Sequence, residues 1–487
     1  MRPFNMIVGR TREIDLLKKS YKSKTAQFIA IYGRRRIGKT YLVRQLFDKE
    51  KNYFELMGMK NVPLKTQLKN FTKCFSDKYF DGISLSTPNS WIESFTLLTS
   101  QLQKIPKQEK IILFFDELPW LSSRKSGFME ALDYFWNKEW SKYSNLTLIT
   151  CGSAASWMLN NLINAKGGLH NRITQRILLE PFKLWEVESF IESLGLKLTK
   201  RQIIEIYMVF GGTPYYLKDL QKSLSVTQNI EVACFNKNGL LIDEFPRLFD
   251  SLFEASKINL EITRVIAENH YGISRHNLIK KIGGTSGGRI NERLAELEST
   301  GFIRSFLPYG QKKETYYKVI DEYSLFYLNW IEPHLKKGFV KNYWSKQIKT
   351  PMYYAWAGYA FESICLKHIE SIEHCLGIDN LVISRGSWKS KSSKGLMDKA
   401  AQVDLLFERR DNAINICEIK FKEQVYDITK DEAINLRNKI LRFTEEEGQG
   451  KEIFLSIISC SGLKTNIWSE DLIANVVNGE DLFKNFS

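Results

Sequence analysis

The chain of 487 residues lacks the features that mark secreted, membrane-spanning or disulfide-stapled proteins. Its seven cysteines include no Cys-x-x-Cys pair, so we expect a reducing environment rather than a disulfide framework. No apolar run reaches the length of a membrane span, and the N-terminal MRPFNMIVGRTREI contains no apolar segment typical of a signal peptide. These absences predict a cytoplasmic protein without a membrane partner.

Negative charge is also scarce, because 70 Lys and Arg stand against 55 Asp and Glu and give a net charge of +15. The excess favours an anionic partner such as DNA, although solubility alone would also account for it. The hydrophobic share of 43% and the charged share of 26% are ordinary for globular protein, which excludes disorder as the main state. The length predicts about three domains.

The stretch IYGRRRIGKT, residues 31–40, predicts a phosphate-binding loop between a buried strand and the helix KTYLVRQLF. Its backbone N–H groups would face phosphate oxygens, Lys39 would reach the β- and γ-phosphates, and the Thr40 hydroxyl would ligate Mg²⁺. We therefore predict ATP and Mg²⁺ as cofactors. The three arginines either lie near phosphate or form a solvated face. The predicted nucleotide-binding residues are Gly33, Arg34, Arg35, Arg36, Ile37, Gly38, Lys39, Thr40 and Tyr41.

The segment KIILFFDELPW predicts the second half of the same site. Its apolar run ends at Asp116 and Glu117, and acids at the carboxyl end of a parallel strand lie where ligands bind. We expect Asp116 to bind Mg²⁺ and Glu117 to act catalytically by polarising the attacking water. A further strand, LTLITCGS, ends at Ser153, which either senses the γ-phosphate or caps the strand.

Six segments in order resemble the archaeal-type ATPase family of archaea and bacteria: VGRTREI, YGRRRIGKT, FDELPW, CGSAASWM, NRITQRILLEPF and GGTPYYL. The resemblance implies a P-loop core over 1–178 and a helical lid with a linker over 179–250. It also implies that Arg172 meets the γ-phosphate, in cis or from a neighbouring subunit of a homo-oligomer, with Arg176 as a competitor for the role. The alternative is that both arginines pair with surface acids. The glycines of GGTPYYL are expected to have a backbone role.

Residues 251–325 have the element order of a winged helix-turn-helix. ISRHNLIKKI predicts a helix capped by Ser274, and RINERLAELESTG predicts a second helix closed by Gly301. FIRSFLPYGQKKETYYKVID predicts a hairpin that turns near Gly310. The module either contacts DNA or serves as a rigid connector or protein-docking element. The candidate DNA contacts are Arg289, Asn291, Arg293, Lys312 and Lys313.

Residues 326–487 predict a restriction-endonuclease-like α/β domain. In the hairpin AQVDLLFERRDNAINICEIKF, Glu418 and Lys420 point to one face, which Asp404 can reach from the partner strand. Asp404 and Glu418 would hold Mg²⁺, and Lys420 would help to orient a water. The pattern is similar to the PD-(D/E)xK nucleases, and Glu362 matches the helical acid that many of them carry. The alternative is a salt-bridged hairpin without a metal.

These regions together predict an α/β multidomain fold: a P-loop NTPase sandwich with a helical lid, a winged helix-turn-helix, and the restriction-endonuclease-like domain. The predicted function is an Mg²⁺-dependent ATPase that couples its ATP state to DNA binding or processing. The alternative is an ATP-dependent regulatory switch in which the nuclease-like domain is inactive and docks a partner. The basic, serine-rich segment 384–395 is expected as a loop that follows nucleic acid or as a mobile linker.

Overall fold

A computed structural model describes residues 7–123, 125–164, 169, 171–283, 287–311, 313–390 and 401–485. The chain forms two compact units, one of residues 1–180 with 252–254 and one of residues 181–251 with 255–487. In the described ranges, no helix has both the length and the apolar character needed to cross a membrane.

The first unit is built around a five-stranded parallel sheet of spatial order β2-β3-β4-β1-β5. The strands are β1 (Gln27–Tyr32), β2 (Tyr53–Met57), β3 (Ile111–Asp116), β4 (Leu146–Gly152) and β5 (Gln175–Leu178). The strand β4 therefore lies between β1 and β3. This order brings the carboxyl ends of β1, β4 and β3 side by side at one edge of the sheet.

Helices cover both faces of this sheet, which is why its central strands are continuous apolar runs. Phe28 and Ala30 pack into one buried cluster, whereas Ile29 and Ile31 pack into the cluster on the other face. The helices are α1 (Thr11–Tyr21), α2 (Lys39–Phe47), α3 (Leu64–Tyr79), α4 (Trp91–Leu102), α5 (Leu118–Leu121), α6 (Phe128–Lys138) and α7 (Ala155–Met158). A short 3₁₀ turn follows α6 at Trp140–Lys142, and a π-helical turn follows α7 at Leu159–Ile163.

The second unit opens with helices, among which the GGTPYYL segment has the predicted backbone role. Gly211 has φ +56°, and a Cβ added at Gly212 would lie 1.9 Å from the carbonyl oxygen of Phe182. Only glycine permits this close approach of two backbones. The helices are α8 (Leu184–Ser193), α9 (Lys200–Phe210), α10 (Pro214–Leu217), α11 (Val226–Cys234) and α12 (Glu244–Leu252).

Residues 256–319 form helices packed with a small antiparallel sheet of order β6-β8-β7. Ser274 caps its helix as predicted, because its hydroxyl accepts a hydrogen bond from the backbone N–H of Asn277 at 3.3 Å. The predicted hairpin is confirmed by the pairing of β7 with β8. The elements are α13 (Ser256–Ala267), β6 (Ile273–Ser274), α14 (Arg275–Ile282), α15 (Gly287–Ser299), β7 (Ile303–Phe306) and β8 (Tyr316–Val319).

The C-terminal part contains a five-stranded mixed sheet of order β13-β12-β11-β10-β9, antiparallel on the β9 side and parallel on the β13 side. The helix α21 connects the parallel neighbours β11 and β12. The strands are β9 (Val382–Lys389), β10 (Gln402–Arg409), β11 (Ala413–Lys420), β12 (Glu452–Ser459) and β13 (Asn475–Asn478). The helices are α16 (Glu322–Phe326), α17 (Glu332–Lys337), α18 (Tyr343–Gln347), α19 (Pro351–Lys367), α20 (Ile369–Leu376), α21 (Lys430–Glu446) and α22 (Ile467–Leu472).

The prediction of a loop over 384–395 is wrong for its first half. Residues up to Lys389 form β9, which pairs with β10 and buries Trp388 in the domain core. Lys389 is exposed next to buried Trp388, and this alternation is typical of a half-buried edge strand. Residues 391–395 lie outside the described part of the chain.

Candidate functional site

The loop between β1 and α2 has the backbone that its glycines predict. Gly33 has φ +143°, and a Cβ added there would lie 2.3 Å from the carbonyl oxygen of Leu179. Gly38 has φ +95° and precedes the first residue of α2, Lys39. The loop therefore reaches the N-terminus of α2 in a conformation that presents backbone N–H groups to an anion.

The ammonium of Lys39 is held entirely by uncharged oxygens. It donates to the carbonyl oxygens of Gly33 and Arg34, each at 2.9 Å, and to the hydroxyl of Ser153 at 3.1 Å. No carboxylate of the described residues lies within ion-pairing distance of it. The side chain is only 6% exposed, and this burial lowers the pKa of Lys39. A buried cation that no carboxylate contacts directly favours an incoming anion.

Thr40 and Asp116 meet across the sheet edge as the two motifs predict. The Thr40 hydroxyl donates to Oδ2 of Asp116 at 2.7 Å. Burial raises the pKa of Asp116 to about 6, although the hydrogen bond from Thr40 acts in the opposite direction. A hydroxyl and a carboxylate this close are the oxygen donors that Mg²⁺ prefers.

Glu117 and Ser153 are joined, which the sequence did not predict. The Ser153 hydroxyl donates to Oε1 of Glu117 at 2.6 Å, and the Ser153 backbone N–H donates to Oε2 at 3.2 Å. Glu117 has φ +48° and ψ +52°, a left-handed conformation that costs a residue other than glycine about 1–3 kcal/mol. Ser153 thus contacts both Lys39 and Glu117, and the three side chains form one polar chain.

The arginines near the loop have different environments. Arg34 is buried, so the interpretation as a solvated face is wrong for it, whereas Arg35 and Arg36 are half-buried and Tyr41 is exposed. Arg10, in the VGRTREI segment, supports the loop by donating to the carbonyl oxygen of Ile37 at 3.3 Å. The sequence signal for Arg10 was its place in that motif, but no role followed from it.

Arg172 and Arg176 lie near the outer strand of the sheet. Arg172 is exposed in the turn before β5, and its side chain makes no hydrogen bond or ion pair with any residue the structure describes. Arg176 is exposed on β5, and its guanidinium lies 3.5 Å from the carbonyl oxygen of Ile163. Within this chain, neither arginine joins Lys39, Thr40 and Asp116.

A second site lies in the C-terminal sheet, where Glu362, Asp404, Glu418 and Lys420 line one cleft of about 1730 Å³. Glu362 comes from α19, Asp404 from β10, and Glu418 and Lys420 from β11. The antiparallel pairing of β10 with β11 places Asp404 next to the face that carries Glu418 and Lys420. The structure thus brings all four predicted residues to the same cleft.

Glu418 has two cationic partners. The ammonium of Lys420 lies 2.8 Å from Oε1, and the ammonium of Lys439, on α21, lies 2.5 Å from Oε2. Burial alone would raise the pKa of Glu418, but the attraction of Lys439 and Lys420 together lowers it. Lys439 was missed by the sequence reasoning, because it is 19 positions beyond the motif.

Asp404 has no ion-pair partner among the described residues, and Glu362 has one distant partner. Burial, with the neighbouring charges of Glu362 and Glu418, raises the pKa of Asp404 to about 7. Burial also raises the pKa of Glu362, whose ion-pair partner is Lys318 at 3.5 Å. Over the described ranges, no three His, Cys, Asp or Glu side chains converge closely enough to hold a metal ion. Glu362 is therefore a neighbour of Asp404 and Glu418, not a third member of a preformed ligand cluster.

The candidate DNA contacts on α15 are only partly available. Arg289 is exposed, but Asn291 accepts a hydrogen bond from Arg275 at 2.7 Å. Arg293 is paired with Glu296 at 2.8 Å and with Glu292 at 2.6 Å. Lys313 is exposed, and Lys312 lies outside the described residues.

Comparison with known proteins gives matches in sequence and in fold. Residues 7–220 match the family described as an ATPase domain predominantly from Archaea. An uncharacterised protein of Methanocaldococcus jannaschii is 24% identical over 424 residues, which cover 86% of this chain and 88% of that protein. An uncharacterised ATP-binding protein of the same organism is 37% identical over 46 residues, which cover 9% of this chain and 78% of that protein.

Two solved structures align at low sequence identity. A Walker-type ATPase of Pyrococcus abyssi covers 66% of this chain and 96% of its own, with a TM-score of 0.46 and 20% identity. The ORC2 protein of Aeropyrum pernix, solved as ADPNP–ADP complexes, covers 69% of this chain and 98% of its own, with a TM-score of 0.43 and 15% identity.

Proposed function

We propose that residues 7–220, an archaeal-type ATPase domain, bind ATP with Mg²⁺ and hydrolyse it. The observation that carries this proposal is the buried Lys39 ammonium, which has only uncharged partners at the N-terminus of α2. The β- and γ-phosphates would take the place of those partners and supply the missing negative charge.

The residues around Lys39 fit the magnesium ion that accompanies ATP. Thr40 and Asp116 would hold it, because their oxygens already lie 2.7 Å apart at the sheet edge. The bound ion would neutralise charge that develops on the phosphates. Glu117 would orient the attacking water and accept its proton, once its carboxylate leaves the hydroxyl of Ser153. Exposed Arg172 suits a contact with the γ-phosphate of a neighbouring subunit, so we propose a homo-oligomer as the active form.

Phosphate release by the full chain, together with MgATP binding, tests the proposal. Glu117→Gln should keep MgATP binding and lower turnover by about 100-fold or more, since a general base contributes that much. Glu130→Gln, an exposed residue of α6, is the matched control and should behave as wild type. The proposal fails if the wild type releases no phosphate from MgATP, or if Glu117→Gln turns over ATP at the wild-type rate.

A second activity is proposed for the cleft, namely metal-dependent cleavage of DNA. The carrying observation is the convergence of Asp404, Glu418 and Lys420 on one cleft of about 1730 Å³. Buried carboxylates fit a hard divalent cation, provided that it replaces an ammonium on Glu418. Asp404 and Glu418 would hold the cation, and Lys420 would orient the water.

The three-stranded sheet with α13, α14 and α15 supports the proposal of a winged helix that binds DNA through Arg289.

Plasmid nicking with Mn²⁺, with and without ATP, tests this second activity. Asp404→Ala and Lys420→Ala should each abolish cleavage, whereas Asp411→Ala, in the exposed turn between β10 and β11, should not. If the wild type leaves plasmid intact in every nucleotide state, the cleft is not a nuclease site. The regulatory switch with an inactive docking domain then becomes the better proposal, and it predicts that ATP changes DNA affinity or oligomeric state without cleavage.

A further inference from the structure

Among the residues that the structure describes, Lys439 is the cation that reaches Glu418 from an element other than β11. Its ammonium occupies Oε2 of Glu418 while that of Lys420 occupies Oε1. The Glu418 side chain is 8% exposed, so its oxygens have little room for partners beyond the two ammonium groups. A cation that binds Glu418 must therefore replace one of the two ammonium groups.

Lys439 is the ammonium whose departure would leave the hairpin residues Glu418 and Lys420 beside each other. Lys420 extends from the same strand as Glu418, two positions away on the same face, so it stays beside the carboxylate. Lys439 extends from α21, and its ammonium makes no other hydrogen bond within the described residues than the one to Glu418. A change of side-chain rotamer would free it without any change in the strand.

The face of α21 that carries Lys439 is a continuous stripe of hydrogen-bond donors. Asn435, Asn438, Lys439 and Arg442 all line the cleft, and their spacing of three, four and seven positions places them on one side of the helix. Glu432 and Glu445 line the cleft beyond the two ends of this stripe. Amide, ammonium and guanidinium groups on one helix face match the anionic oxygens of a phosphodiester backbone.

We propose that Lys439 exchanges between Glu418 and a phosphate oxygen of bound DNA, and that a divalent cation on Glu418 drives the exchange. The inference rests on the metal site proposed above for Asp404 and Glu418. Once the cation has replaced Lys439, the freed ammonium joins Arg442 and the two asparagines as a phosphate-binding surface. Cation and DNA then raise each other's affinity, because both stabilise the state in which Lys439 has left Glu418.

Mn²⁺ binding to the nucleotide-free full chain tests the first half of the exchange. Binding that is lost in Asp404→Ala belongs to the cleft, which separates it from any ion at Asp116. Lys439→Met should bind Mn²⁺ at the cleft at least about fivefold more tightly than wild type, because the competing ammonium is gone. Lys430→Met removes an exposed lysine from the first turn of the same helix, outside the cleft, and should leave the affinity unchanged.

Fluorescence anisotropy of labelled DNA tests the second half, with Ca²⁺ as the hard cation and EDTA as the metal-free condition. The wild type should bind DNA about fivefold or more tightly with Ca²⁺. Lys439→Met should lose this gain while Lys430→Met keeps it. Lys439→Gln retains a hydrogen-bond donor to Glu418 without the charge, and it provides the same two readouts if Lys439→Met does not fold.

Two results would contradict the inference in different ways. Unchanged Mn²⁺ affinity and a retained Ca²⁺ gain in the Lys439 variants would overturn the exchange alone and leave Lys439 as a structural ion pair. No Asp404-dependent Mn²⁺ binding by the wild type would overturn the proposed metal site, and the exchange with it.

Discussion

The P-loop and the C-terminal cleft use the same residue types in opposite electrostatic states. In the P-loop, the Lys39 ammonium is buried among carbonyl and hydroxyl oxygens. In the cleft, Lys420 and Lys439 share one buried carboxylate, that of Glu418. The first site therefore has positive charge to offer an anion, whereas in the second the charge of Glu418 is already paired within the protein.

This difference indicates how each site would accept a ligand. An anion can enter the P-loop by replacing uncharged partners of Lys39, which have other hydrogen-bonding options. A cation can bind Glu418 in the cleft only by breaking an ion pair, so its affinity must depend on where the displaced ammonium goes. A sequence motif of acids and a lysine therefore does not show whether the charges of a site are available to a ligand or are already paired with each other.

The largest expected effect comes from removing the shared carboxylate of the cleft. Glu418→Gln leaves the ammonium groups of Lys420 and Lys439 close together without the carboxylate that pairs with both of them. We expect the free energy of unfolding to fall by about 3 kcal/mol, as for other broken buried ion pairs, measured by urea denaturation. Lys39→Met breaks no ion pair and should cost less, about 1 kcal/mol for the lost hydrogen bonds.

Glu470→Gln, at an exposed position of α22, is the control for the loss of one negative charge and should leave the urea midpoint unchanged. Equal losses in Glu418→Gln and Lys39→Met would contradict the electrostatic contrast between the two sites.

A smaller effect is expected from a buried histidine in the second unit. The Nε2 of His368 accepts from the backbone N–H of Leu184 at 3.0 Å, and burial lowers the pKa of His368 to about 4. Between pH 6.5 and 4 the unfolded ring takes up a proton that the folded ring excludes, so stability falls as the pH falls. We expect a loss of about 2 kcal/mol between pH 8 and pH 5 from this residue.

Urea denaturation at the two pH values measures this loss. His368→Gln should lower stability at pH 8 but lack this part of the pH dependence, whereas His276→Gln, exposed on α14, should retain it. An identical pH dependence in wild type and His368→Gln would show that the ring does not stay neutral in the fold.

The smallest effect concerns the polar chain of the P-loop. Ser153→Ala removes the hydroxyl that links Lys39 to Glu117 but leaves both charged groups in place. We expect ATP turnover to change by about tenfold, the value of one hydrogen bond to a charged group, with MgATP affinity nearly unchanged. Phosphate release by Ser153→Ala, beside Ser100→Ala on the exposed face of α4, measures it. Turnover equal to wild type would leave Ser153 with a capping role only.

Much of the ATPase half could be predicted because its signals are local. Lys39 and Thr40 follow Gly38 directly, and Asp116 ends an apolar run. The neighbouring residues in the sequence therefore indicate the role of each of them. The contact between Glu117 and Ser153 could not be predicted, because it depends on β3 and β4 being neighbours in the sheet. The order of strands in a sheet depends on the whole fold, so neither the segment of β3 nor that of β4 predicts it alone.

From the residues alone the cleft could be predicted only as far as one hairpin reaches, and Glu362 on α19 was expected only from the resemblance. Asp404, Glu418 and Lys420 follow from period-two alternation, but Lys439 belongs to a helix whose position depends on the crossover between β11 and β12. Its signal was the stripe of Asn435, Asn438, Lys439 and Arg442 at helical spacing. On α15, the glutamates that pair with Arg293 were visible in the sequence, but only the structure places them in contact.

The most direct test of the central claim is the binding of MgATP to the full chain by calorimetry, for the wild type, Lys39→Ala and Lys420→Ala. If the Lys39 ammonium binds the phosphates of ATP, Lys39→Ala should lower the affinity for MgATP by about 100-fold, the loss expected for hydrogen bonds from a charged donor. Lys420→Ala, whose cation is already paired, should bind MgATP as the wild type does. MgATP binding that is equally strong in Lys39→Ala and the wild type would contradict the account.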